Sequence, residues 1–100
     1  MEILKNMLAQ NPRDSFARYG LAMEHVMNGE LEEAVAEFRN LLDYNPDYAA
    51  AYFHGGQALE KLGRVEDARA MYQKGIETTS RTGDQHTRSE LQGALDMLPI

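Results

Sequence analysis

The sequence predicts an all-α fold, a helix-turn-helix repeat array of about six helices. Three observations predict it: a self-similarity with a period of 34 residues, glycine and proline breaks that keep the same step, and small residues at matching positions. When residues 15–48 are laid over 49–82, Ala17, Gly29, Glu32, Ala34 and Ala36 meet Ala51, Gly63, Glu66, Ala68 and Ala70. Like also meets like at Tyr19 with Phe53, Leu31 with Val65, Phe38 with Tyr72 and Leu42 with Ile76. The step runs backwards as well, with Leu4, Leu8 and Asn11-Pro12 preceding Phe38, Leu42 and Asn45-Pro46.

Each element follows from local chemistry. Apolar residues recur three and four apart over segments near 1–10, 15–28, 31–44, 48–62, 65–80 and 84–97, the spacing of one helix face. Gly29 and Gly63 separate the helices of each unit, because the residue just past a helix end commonly turns left-handed and glycine does so without a clash. Glu30, Glu32 and Glu33, then Glu66 and Asp67, place negative charge at the next N-terminus. Pro12 and Pro46 close the preceding helices by removing a backbone donor and pushing Asn11 and Asn45 out of helical angles. Ala22 or Gly56, with Ala34 or Ala68, leave room where two helices must approach, and Phe38 and Tyr72 fill the space between layers.

These residues resemble the tetratricopeptide repeat, whose 34-residue pattern runs Trp, Leu-Gly, Tyr, then Ala, Phe and Pro. The slots hold Arg18, Leu21, Ala22, His25, Ala34, Phe38 and Pro46 in the first unit, and Tyr52, Gly55, Gly56, Leu59, Ala68, Tyr72 and Ser80 in the second. Arg18 replaces a large aromatic, so its stem is expected to pack while its guanidinium reaches water. Ser80 replaces the closing proline, so the fifth helix is expected to run on until Gly83. The resemblance divides a single domain, 1–100, into a half-repeat helix (1–14), two repeats (15–48 and 49–82) and a C-terminal capping helix (83–100). It implies a right-handed superhelix whose first helices line a concave groove for an extended peptide or a partner helix, and it implies no reaction.

In that register the groove residues are Phe16, Tyr19, Met23 and Met27, then Ala50, Phe53, Gln57 and Glu60. The first group is apolar or aromatic, as binding surfaces often are. Some relatives clamp a terminal carboxylate with Lys, Arg and Asn on successive first helices, whereas Tyr19, Met23, Phe53 and Gln57 occupy that ground here. The expected partner is therefore an apolar protein segment with some basic residues. Those would suit a front half that holds four Lys/Arg against nine Asp/Glu in residues 1–50. The alternative is a homodimer formed through the ends of the stack, for which Ile3, Leu4, Met7 and Leu8 would supply an uncovered apolar face.

Composition narrows the remaining classes. A chain of 100 residues with 43% apolar content suits one core. A net charge of −6 without a basic stripe argues against nucleic acid and anionic membrane as partners. The absence of cysteine is compatible with the cytoplasm, and neither an export signal nor a membrane span is expected. His25, His54 and His86 are too scattered for a zinc pair, and His25 reads as a partly buried, hydrogen-bonded filler. Gly55-Gly56 lies mid-helix, unlike a phosphate loop, and Ser15, Ser80 and Ser89 lack the turn that would raise a nucleophile. No catalytic residue, cofactor or metal site is expected, and the chain reads as a non-enzymatic interaction scaffold.

Overall fold

A computed structural model describes residues 2–99; Met1, expected in the first helix, and Ile100, in the expected cap, lie outside the described residues. Six helices follow one another: α1 (Glu2–Gln10), α2 (Ser15–Met27), α3 (Leu31–Tyr44), α4 (Ala49–Lys61), α5 (Val65–Thr82) and α6 (Gln85–Asp96). Among the described residues there is no strand. Each helix lies against the next, and α4 also touches α6, giving a slab of 41 × 29 × 18 Å.

The breaks form as the backbone requires. Gly29 and Gly63 take φ of 77° and 78°. Beyond Gly29, the Glu30 N–H donates to His25 O at 2.8 Å, and beyond Gly63, the Arg64 N–H donates to Leu59 O at 2.9 Å. These bonds satisfy carbonyls that the helix ends would otherwise leave open. Asp14 and Asp84 cap α2 and α6 by accepting the Ala17 and Thr87 N–H groups at 3.0 and 3.1 Å. The fifth helix does run past Ser80 and stops at Gly83, whose φ is 82°.

Three clusters make up the core. One gathers Leu8, Ala17 and Leu21; a second Ala22, Ala34, Phe38, Leu41 and Ala51; a third Val35, Tyr52, Leu59, Ala68, Tyr72, Leu91 and their neighbours. Fully burying a side chain such as Phe38, Leu41, Leu59 or Leu91 contributes about 1.5–3 kcal/mol. Gly56 makes its room for a ring rather than for a facing backbone. A Cβ there would stand 2.7 Å from both Cδ1 and Cζ of Tyr72. The phenol of that buried ring donates to the Glu60 carboxylate.

Two further expectations are corrected. The Arg18 guanidinium does not reach for water: Nε donates to the Tyr44 hydroxyl at 3.1 Å, Nη1 to Glu37 Oε1 at 2.6 Å and Nη2 to Pro12 O at 3.1 Å. Its slot lies where the α1–α2 turn meets the end of α3, so three acceptors converge on one planar fork. The α1 face is also largely covered, with Leu8 buried and Leu4 and Met7 packed beside it. Of the four residues expected to be uncovered, Ile3 alone stays mostly exposed, at 76%.

Candidate functional site

The expected groove residues lie on α2 and α4, the first helices of the two central hairpins, and the structure divides them by what they touch. Phe16 and Met27 stand three turns apart on α2 and are 69% and 82% exposed. Between them Tyr19 and Met23 are half-buried against the Phe38 cluster. On α4, Phe53 is half-buried against the Tyr52–Leu59 cluster. Ala50 is partly buried and joins none of these contacts.

An aromatic row crosses from one helix to the other. Tyr48, just ahead of α4, has its ring centroid 5.3 Å from that of Tyr19, which lies 5.9 Å from His54, itself 5.2 Å from Phe53. Tilted and edge-on arrangements at such distances are attractive, because a ring's positive edge meets a neighbour's negative face. Tyr19 and Phe53 thus come together through His54. Neither Tyr48 nor His54 is among the residues expected to form the groove. The signal that could have found His54 is its position beside Phe53, but a helical period alone does not say which of two adjacent residues rotates toward the neighbouring helix.

The electrostatics of the row follow from its burial. Burial lowers the pKa of His54, against a smaller upward pull from Glu90 on α6, so the imidazole is neutral at neutral pH. Burial raises the phenols of Tyr19 and Tyr48, and for Tyr19 the neighbouring Tyr48 adds to the rise. Among the described residues neither hydroxyl has a hydrogen-bond partner, and neither is sealed from solvent.

The remaining expected residues sit at the far end of α4. Gln57 and Glu60 line a shallow hollow of about 270 Å³ with Lys61. Glu60 is already engaged by Tyr72, whose phenol is pushed up by burial and then by this carboxylate. A second hollow of about 200 Å³ is lined by Met27, Glu24 and Asn28. His25 is the filler expected of it, with Nδ1 2.8 Å from Glu30 Oε1. Among the described residues no three His, Asp or Glu side chains are grouped as metal ligands, and no helix is long and apolar enough to cross a membrane.

Known proteins share this fold. A family model described as Tetratricopeptide repeat matches residues 19–81. A TPR repeat-containing protein of Pseudomonas aeruginosa is 26% identical over 91% of this chain and 87% of its own length. Photosystem I assembly protein Ycf3 of Rippkaea orientalis is 31% identical over 70% of this chain and 45% of its own length. Among solved structures, a tetratricopeptide repeat domain protein from Salinibacter ruber superposes with a TM-score of 0.79 at 41% identity, covering 85% of this chain and 86% of that one. A Bordetella parapertussis protein superposes with a TM-score of 0.82 at 29% identity, covering 95% and 83%.

Proposed function

Because the chain belongs to the tetratricopeptide repeat family, whose members are in general non-enzymatic protein-interaction modules, we propose that it receives a peptide or partner helix along α2 and α4. The observation that carries this reading is the pair Phe16 and Met27. Two large apolar side chains, 69% and 82% exposed on one helix, flank half-buried Tyr19 and Met23. Aromatic and methionine side chains left open on one helix face are characteristic anchors for a protein partner. The partner's chemistry is apolar with basic residues, complementary to a chain of net charge −6. The chain works in the cytoplasm on this reading, and one of its relatives bears the name of an assembly protein.

Self-association through the ends is the weaker reading, since α2 already covers Leu4, Met7 and Leu8. Leu4→Asp would disturb that packing, so Ile3→Asp is the cleaner variant to set beside wild type in light scattering.

The deciding experiment compares proteins captured from a lysate of the source organism by wild type and by Phe16→Glu/Met27→Glu. Both positions are exposed, so the variant should keep the wild-type melting temperature. A captured protein that is lost with the variant, and that protects α2 and α4 amides from hydrogen exchange when added back, supports the groove. An unchanged set of captured proteins overturns it.

A further inference from the structure

We propose that the row Tyr48–Tyr19–His54–Phe53 is a subsite for a proline-rich segment in polyproline II conformation, flanked by basic residues. The inference rests on the groove reading above and names the kind of chain that fills it.

Two features of the row select this occupant over a helix. The first is its rigidity and relief. Tyr19 and Tyr48 pack against the Phe38 cluster and Phe53 against the Tyr52–Leu59 cluster, so the rings are held edge-on and tilted at 5.2–5.9 Å intervals. A fixed row of rings offers successive faces and edges against which pyrrolidine rings can pack, and proline-rich segments dock on aromatic-lined surfaces of this kind. The second is the hydrogen bonding that the row offers. The hydroxyls of Tyr19 and Tyr48 are donors without a partner among the described residues. A polyproline II strand makes no internal hydrogen bonds, so its carbonyls are open acceptors, and each proline brings no N–H that would need an acceptor in return. A helix laid on the same row keeps its carbonyls for itself and strands both phenols away from water, which is costly.

Charge fixes the flanks. Glu90 on α6 lies near enough to His54 to act on it electrostatically, and the half of the chain that carries Tyr19 and Tyr48 holds nine acidic against four basic residues. Arginine or lysine beyond the prolines meets this field favourably, whereas glutamate there is repelled. An extended, pre-ordered strand also loses little conformational freedom on docking, which offsets the small area of a two-helix groove.

The test is a nitrogen-15 NMR titration of the full chain with two probes: decaproline flanked by arginines, and an alanine-rich helical peptide of the same charge. Shifts from the decaproline centred on α2, Tyr48 and the first turns of α4 are expected. Tyr19→Phe/Tyr48→Phe, which keeps both rings and removes both hydroxyls, should bind it about tenfold more weakly, with its thermal melt confirming that it folds. Shifts in the groove from the helical peptide but not from decaproline overturn this inference and leave the groove reading standing. Decaproline shifts confined to other faces overturn both. Equal decaproline affinity in the wild type and a folded double-phenylalanine variant removes the hydrogen-bonding argument and overturns the proposal, as does a chain that responds to neither peptide.

Discussion

Gly56→Ala is the sharpest probe of how α4 and α5 meet. The added Cβ would stand 2.7 Å from Cδ1 and Cζ of Tyr72, where ordinary contact begins at 3.4 Å. Tyr72 is fully buried and tethered through its phenol to Glu60. The ring therefore has to retreat by about 1 Å, and the retreat forfeits packing contacts throughout its surroundings. Overfilling a packed core costs about 1–3 kcal/mol, and loss of the phenol's hydrogen bond about 1 kcal/mol more. Against this, alanine is favoured over glycine inside a helix by about 1 kcal/mol. The net expectation is a loss of about 2 kcal/mol, seen as a fall of about 1–2 M in the urea midpoint. Gly93→Ala supplies the control: it lies within α6 with nothing within 4 Å of its Cβ position, so the helix-propensity gain should emerge unopposed. If Gly56→Ala proved as stable as wild type, the α4–α5 register described here would be wrong, since only a different rotation of the helices could leave room for the methyl.

Arg18→Lys should destabilise by about 1–2 kcal/mol in the same denaturation assay, because a single ammonium cannot serve Tyr44, Glu37 and Pro12 at once; equal midpoints would show the fork to be dispensable. His54 makes stability fall on mild acidification. Its folded pKa is lowered by burial, so the unfolded chain takes up the proton first, and stability declines as pH falls from about 7 through the ordinary imidazole value near 6.5. The decline ends once the folded imidazole is protonated too. His54→Gln should remove this component, and parallel midpoint-versus-pH curves for the two proteins would refute it.

The elements governed by local chemistry were legible in the sequence. Gly29 and Gly63 sit where a left-handed residue is needed, Gly83 stops a helix that no proline closes, and the buried slots Leu21, Ala22, Ala34, Phe38, Leu59, Ala68 and Tyr72 keep the 34-residue step. What escaped depends on how each helix is rotated about its own axis. The guanidinium of Arg18 meets acceptors from both the α1–α2 turn and α3, Glu60 turns to the phenol on the neighbouring helix, and His54 rather than Phe53 makes the contact with Tyr19. A period places a residue on a face but leaves its azimuth open by a position, and side chains as long as arginine and glutamate can find partners from either setting. The covering of the α1 face escapes the sequence for a related reason. Leu4 fills the space that Gly20 vacates, 3.2 Å from where a Cβ would be, and that pairing crosses two segments with no shared signature.

The division of the core into clusters has a mechanical consequence. The Phe38 cluster takes Ala34 and Leu41 from α3 and Ala51 from α4, the Tyr52–Leu59 cluster takes Val35 from α3 and Leu59 from α4, and Leu42 packs against both. Because α3 and α4 serve both clusters, one hairpin cannot turn against the other without disturbing packed side chains in each. The aromatic row lies over the same pair of clusters, with Tyr19 packed against one and Phe53 against the other. A chain settling onto the row would therefore meet a surface whose two ends are already held at a fixed spacing, with little left to order on binding.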